Sequence, residues 1–209
     1  MEKSPFSTSH KSYKNSLNLI MKQMNNVFLI FCFFTATVIY SQNNKKSNWL
    51  LFSQENVVTI DINKTGSFKV NNLKFDIVWD KQLSHSENIG YYGGIKTLTI
   101  YENNKLLQTF NNIEDNIALG TISIKFYDYN LDGHLDFTVP IDCGKICWDK
   151  YYIFNHQTNK YENLKDWDYL RIQKINKIKK QILSEPDAAA FEDNSKLYQI
   201  RGLKLDKLN

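Results

Sequence analysis

The run from Asp128 to Asp136 holds the side chains of this sequence that are best suited to chemistry. Oxygen-bearing side chains occupy its first, third, fifth and ninth positions, and Gly133 occupies the sixth. Ca²⁺ binds about six to eight oxygens in irregular geometry, so this spacing predicts a calcium loop. We expect a sharp turn at Gly133, where a Cβ would clash. The predicted ligands are the side chains of Asp128, Asn130, Asp132 and Asp136 and the backbone carbonyl of His134.

The loop differs from the EF-hand type of calcium site. An EF-hand needs an acidic residue at its twelfth position, which is Val139 here. The flanking segments 121–127 and 135–139 alternate or are β-branched, which predicts strands on both sides. The run therefore resembles the DxNxDGxxD loops of integrin-type and FG-GAP-like proteins, and this resemblance implies one structural calcium. The alternative is an ordinary polar turn, because Asp and Asn are common turn formers.

Two cysteines close behind the loop predict a disulfide. Cys143 and Cys147 are separated by three residues, and the third cysteine, Cys32, lies in the leader. Such a pair in an exported chain favours a short disulfide loop. Free thiols are the alternative. A zinc site would need two further ligands, and His156 is the one nearby candidate.

The N-terminal region has the features of a secretory signal peptide. Lys22 precedes the apolar run 27–38, and Ser41 offers a small residue for cleavage before Gln42. The run is shorter than the ~20 residues of a spanning helix, so we expect no stable membrane span after cleavage. We expect translation to start at Met21 or Met24, residues 1–41 to be a leader, and residues 42–209 to be an exported periplasmic or extracellular domain. A retained membrane anchor is the alternative.

The charge pattern argues against nucleic-acid binding. The chain carries a net charge of +4, but residues 1–41 contain four lysines against one glutamate and so supply three of these charges. The predicted domain is nearly neutral, without the basic field that a nucleic-acid partner requires. It contains no phosphate-binding loop, nucleophile elbow or zinc-helix motif, so we predict that it is not an enzyme.

Recurrent short strands and turns predict a mainly β fold, a single antiparallel β-sandwich or barrel-like domain. Asn103-Asn104 predicts a hairpin turn with positive φ. One segment departs from this pattern, because apolar residues in 166–183 recur at helical spacing and predict one amphipathic helix near the C-terminus. The predicted strands are 49–52, 57–62, 67–70, 73–79, 95–101, 106–110, 121–127, 135–139, 151–154, 160–163 and 197–205.

The segment from Phe126 to Tyr161 resembles a known family. It contains the loop with its flanking Phe-Tyr and Phe, then Asp142-Cys-Gly, then Tyr151-Tyr-Ile-Phe-Asn and a turn ending Lys160-Tyr161. It is similar to the calcium-binding periplasmic immunity proteins that inhibit a lysozyme-like effector of a bacterial type IV secretion system. The resemblance implies a lysozyme-inhibitor-like β domain, a lysozyme-like protein partner and the same five calcium ligands.

Aromatic residues in two loops are candidates for contact with a protein partner. Tyr91 and Tyr92 stand between glycines, and Trp148 follows the second cysteine. Aromatic side chains on loops suit recognition, although half-buried packing explains them equally well. Lys145 is a further candidate for pairing with the carboxylates of a glycosidase cleft. The competing hypotheses are an FG-GAP-like surface or carbohydrate-binding module and a hydrolase.

Overall fold

Antiparallel strands account for almost all of the regular structure. The computed structural model describes residues 48–111, 113, 120–143, 147–184 and 195–208. Within these ranges there is no α-helix, and the helical element is the single 3-10 turn Phe52–Gln54. The same residues include no helix long and apolar enough to cross a bilayer. The predicted leader, residues 1–41, lies outside the described residues.

A five-stranded sheet, here called the central sheet, carries the candidate loop. All of its neighbouring strands pair antiparallel. The loop joins two adjacent strands near the middle of the sheet, so both of its ends are held by strand hydrogen bonds. From edge to edge, with strands numbered in chain order, the sheet contains β12 (Lys160–Asn163), β11 (Cys147–Asn155), β10 (Asp136–Cys143), β9 (Ile122–Tyr127) and β2 (Val58–Ile62).

Two further sheets and a short ribbon complete the described structure. The four-stranded sheet contains β3 (Gly66–Val70), β4 (Leu73–Asp80), β7 (Gly94–Glu102) and β8 (Lys105–Asn111). The C-terminal sheet contains β1 (Leu50–Leu51), β13 (Ile172–Asn176), β14 (Gln181–Ser184), β15 (Lys196–Arg201) and β16 (Lys204–Lys207). The ribbon pairs β5 (His85–Ser86) with β6 (Gly90–Tyr91).

The central sheet is covered on both faces. Phe126 and Tyr152 belong to a core shared with the four-stranded sheet, whereas Tyr127 and Ile153 belong to a second core shared with the C-terminal sheet. Successive side chains of a strand point to opposite faces, so a strand buried on both faces needs no polar alternation. This explains the unbroken buried run Tyr151–Phe154. The prediction of a mainly β, antiparallel fold is confirmed, and no sheet of described residues closes into a barrel.

The predicted amphipathic helix at 166–183 is wrong, because the segment contains the hairpin of β13 and β14. Ile175 and Ile182 are Cα partners and both are fully buried, whereas Ile178 lies in the turn and is 77% exposed. The side chain of Asn176 accepts a hydrogen bond from the backbone N–H of Lys179 at 3.0 Å, which stabilises the turn. The helical spacing of the apolar residues was therefore coincidental.

Two local predictions have different outcomes. Asn103 and Asn104 both have positive φ between β7 and β8, which confirms the predicted turn. The predicted closing strand at 197–205 is instead the hairpin of β15 and β16, which turns at Gly202 with φ of 63°.

Candidate calcium site

The loop spans the connection between β9 and β10. Tyr127, the last residue of β9, is the Cα partner of Asp136, the first residue of β10. The eight residues between them leave and rejoin the sheet at directly opposed positions, so they form the connecting loop of a β-hairpin. This confirms the predicted strand–loop–strand setting.

Side-chain oxygens from the first and third positions converge inside the loop. The backbone N–H of Asp132 donates to Oδ1 of Asp128 at 2.9 Å and to Oδ1 of Asn130 at 3.2 Å. The N–H of Gly133 donates to the other oxygen of Asp128 at 2.9 Å, and the N–H of His134 donates to Oδ1 of Asp132 at 2.9 Å. Three of the predicted ligand side chains therefore face the same stretch of backbone.

Gly133 is required by its backbone conformation and not by contact with other parts of the structure. Its φ is +92°, yet a Cβ built on it would meet no atom within 4 Å. The expected clash is therefore with the neighbouring backbone of Gly133 itself, because a Cβ in the left-handed region lies too close to the following carbonyl oxygen, at a cost of about 1–2 kcal/mol. Leu131 also has a positive φ of 58°.

Asp136 is the anchor of the loop. Its side chain is fully buried, with Oδ2 accepting from the N–H of Tyr129 at 2.9 Å and of Asn130 at 3.4 Å. Its Oδ1 accepts from the N–H of Phe154 at 2.9 Å, in the neighbouring strand β11. One carboxylate thus joins the first half of the loop to the central sheet. The position of Asp136 in the loop sequence predicted a calcium ligand, but it did not predict that this side chain would hold the loop to the sheet.

His156 in the turn after β11 reaches the loop, which the sequence did not predict. Its Nε2 lies 3.2 Å from Oδ2 of Asp132, and the side-chain amide of Asn130 donates to the same oxygen at 2.8 Å. The ring of His134 stacks on Phe154 with centroids 3.7 Å apart, so this ring packs toward the sheet. Burial lowers the pKa of His134. The prediction that His134 contributes only its carbonyl to a metal is compatible with this packing.

The loop brings several carboxylates together in a partly buried environment. Burial raises the pKa of Asp128, and burial raises the pKa of Asp136 well above its ordinary value. The negative charge of Asp132 opposes ionisation of both groups. Hydrogen bonds from backbone N–H groups act in the opposite direction. Nearby positive charge would favour the ionised form of these carboxyls.

The donor groups of the loop are of the kind that binds a cation, but the side chains are not arranged around one. Among the residues described, no group of three or more His, Cys, Asp or Glu side chains is disposed to hold a metal ion. The loop carboxylates accept backbone hydrogen bonds, but each ionised carboxylate has about four lone-pair positions. Hard oxygen donors are the type that Ca²⁺ prefers. The donor set therefore suits calcium, and binding remains a prediction.

The two predicted disulfide partners stand opposite each other in the strand register. Cys143 ends β10 and Cys147 begins β11, and the two residues are Cα partners. This places the pair at the tip of the hairpin that leaves the candidate loop. The disulfide itself stays a prediction.

Two of the candidate partner-binding residues do not lie in the predicted loops, because Tyr91 ends the short strand β6 and Trp148 is the second residue of β11. Tyr91 is 64% exposed and packs its ring edge-to-face on His85 at 4.8 Å, whereas Trp148 is half-buried with Tyr169 at 6.3 Å. Tyr92 is half-buried and its backbone N–H donates to the carbonyl of Ser84 at 2.9 Å. Lys145 lies outside the described residues. Tyr91 and Trp148 therefore pack against different neighbours, His85 and Tyr169.

Comparison of this chain with known protein families, with curated proteins and with solved structures gave no match.

Proposed function

We propose that this chain is an exported, calcium-stabilised β domain that binds and inhibits a lysozyme-like peptidoglycan hydrolase. The observation that carries the proposal is the Asp128–Asp136 loop, in which oxygens of Asp128 and Asn130 share the Asp132 N–H between two paired strands. The partner is inferred from the resemblance of residues 126–161 to calcium-binding immunity proteins.

Calcium has a structural role in this proposal. The ligands are the side chains of Asp128, Asn130, Asp132 and Asp136 and the carbonyl of His134. The ion would neutralise carboxylates that are otherwise brought together in a partly buried loop, and its binding energy would add to the stability of the fold. The Cys143–Cys147 disulfide would hold the far end of the strand that follows the loop.

In this proposal the residues that contact the partner are Tyr91, Tyr92, Lys145 and Trp148. The exposed ring of Tyr91 offers a large amphipathic contact surface, as interface hot spots commonly do. The same exposed ring beside His85 favours a second candidate, an FG-GAP-like surface or carbohydrate-binding module, because sugars stack on such rings. Both functions require export, which is inferred from the leader.

The decisive experiment adds the purified protein to lysozyme-like peptidoglycan hydrolases, above all one encoded by a neighbouring gene. We expect loss of hydrolase activity at stoichiometric amounts in the presence of calcium. Tyr91→Ala should weaken inhibition, with Leu106→Ala as a control at another exposed apolar residue, which lies in β8. Unchanged activity of every co-encoded hydrolase would contradict inhibition, and glycan binding without inhibition would support the second candidate.

A further inference from the structure

A groove lies between the candidate calcium loop and the C-terminal sheet. Its volume is about 380 Å³, within the range of small-molecule sites. One wall contains Asn130 and Asp132 with the turn residues 155–157, and the other wall is the β15–β16 turn, residues 201–204. Two different sheets therefore form this groove, and none of the roles assigned above uses the second wall.

The second wall presents two like charges in direct opposition. Arg201 and Lys204 are Cα partners at the end of the β15–β16 hairpin. Like charges at directly opposed positions destabilise a strand pair. Asp206 relieves one of them, because its Oδ2 lies 2.9 Å from Nε of Arg201. Among the residues that the structure describes, the Lys204 ammonium has no ion-pair partner.

The position of these cations is set by the core. The indole N–H of Trp167, which is fully buried, donates to the carbonyl of Leu203 at 2.9 Å. This bond holds the β15–β16 turn against the core. The positive φ of Gly202 is of the kind that tight hairpin turns require. The cations therefore project from a turn with a fixed backbone. The guanidinium of Arg201, held at Nε by Asp206, keeps donors on its two terminal nitrogens.

The first wall supplies side-chain amides beside the carboxylate of Asp132. The carboxylate of Asp132 is already engaged by Asn130 and His156 and by the N–H of His134, so its charge is shared among donors. The exposed side chain of Gln157 contributes an amide at the groove. Amide groups hydrogen-bond hydroxyls in either direction, since they carry both donors and an acceptor.

We propose that this groove binds a sugar acid, with its single carboxylate on Lys204 and Arg201 and its hydroxyls on the amide side. In the described part of the chain Lys204 is the one cation of this turn without an ion-pair partner, and a single such charge favours a monoanion over a dianion such as phosphate. Each cation would form a charge-assisted hydrogen bond to the carboxylate, so loss of one cation weakens binding about tenfold or more. This site does not depend on inhibition of a hydrolase.

The test uses the full protein at a fixed calcium concentration, with binding measured by NMR shift titration. The probes are glucuronate, neutral glucose and inorganic phosphate. We expect glucuronate to shift the resonances of Gly202 and Gln157 and to bind at least about tenfold more tightly than glucose. Lys204→Gln and Arg201→Gln should each weaken glucuronate binding about tenfold or more. Lys207→Gln is the matched control, since Lys207 is an exposed lysine on the same strand away from the groove lining.

Several results would overturn the sugar-acid site. Equal binding of glucose and glucuronate would remove the role of the carboxylate, and tighter binding of phosphate would identify an anion site of another kind. Unchanged affinity in Lys204→Gln, with a melting curve like that of the parent protein, would remove the role of the turn. Absence of shifts with all three probes would exclude the site.

Discussion

Oδ1 of Asp136 accepts a hydrogen bond from the backbone N–H of Phe154 at 2.9 Å, and both residues are buried. Through this bond the side chain of the first residue of β10 reaches β11, whose backbone pairing with β10 begins one residue later, at Phe137. The second oxygen of Asp136 accepts from Tyr129 and Asn130. The carboxylate therefore joins the loop to the sheet.

We expect Asp136→Ala to destabilise the protein strongly. The change leaves three backbone N–H groups in the interior without their acceptor, and each costs about 1–3 kcal/mol. A loss of about 3 kcal/mol or more lowers Tm by roughly 6–12 °C for a domain of this size. Thermal unfolding followed by circular dichroism measures the change. The control is Asp76→Ala, which removes a half-exposed carboxylate paired with Lys74 and should cost little. Equal effects of the two substitutions would contradict the anchor role.

Calcium should raise Tm, and chelation should lower it. Calcium at about 100 times its Kd adds about 2.7 kcal/mol to the free energy of unfolding. Asp132→Ala should lower Tm and abolish the response to calcium, because its carboxylate faces the loop interior and lies outside the Asp136 anchor. Identical melting with calcium and with chelator would refute the site.

A series of glycine substitutions should separate strain from crowding. Gly133→Ala keeps open space but must hold φ near +92°, so we expect a loss of about 1–2 kcal/mol. Gly93→Ala should cost more, because its Cβ would lie 2.6 Å from Nε1 of Trp79 in addition to the φ of +80°. Gly66→Ala is the control, with open space and no positive φ. Chemical denaturation provides the ranking, and a loss at Gly66 as large as that at Gly133 would contradict it.

The protein should lose stability at alkaline pH. Burial raises the pKa of Tyr127, Tyr129, Tyr151 and Tyr161. A pKa above the unfolded value of about 10 means that this contribution to stability is complete below pH ~10 and is lost as the pH rises further. Tyrosinate absorbance should therefore rise together with loss of the β-sheet signal. A full tyrosinate signal from the folded protein would contradict this expectation.

Tyr127→Phe serves as the comparison in that titration. The hydroxyl of Tyr127 donates to Glu55 at 2.8 Å, and Lys177 pairs with the same carboxylate at 2.6 Å. Loss of the hydroxyl should cost about 1 kcal/mol at neutral pH. It should also shift the alkaline transition to higher pH, since one fewer proton is lost on unfolding.

The protein purified from an oxidising compartment should show no free thiol at Cys143 or Cys147 after denaturation. Reduction of this short disulfide should cost on the order of 2 kcal/mol. Thiol titration in denaturant and a melting curve with reductant measure the two effects. Two titratable thiols per mature chain would exclude the bond.

The amino-acid sequence predicted much of the strand pattern. Alternating segments such as Leu73–Asp80 bury every second residue at a period of two, which is readable locally because one face meets a core and the other meets solvent. The Asn103-Asn104 turn and the strands that flank the loop were readable for the same reason, since their signals lie within a few residues. The hairpin at 172–184 could not be predicted from the sequence, because apolar residues spaced by three and four residues also suit a helix.

The sequence by itself determined the chemistry of the loop, its oxygen donors and the need for glycine at position 133. Only the tertiary structure decided that Asp136 anchors the loop to Phe154, that His156 meets Asp132 and that Arg201 and Lys204 face the same groove. These contacts join residues from different strands and turns of two sheets. Local spacing carries no information about them, because they depend on which strands become neighbours when two cores form on opposite faces of one sheet.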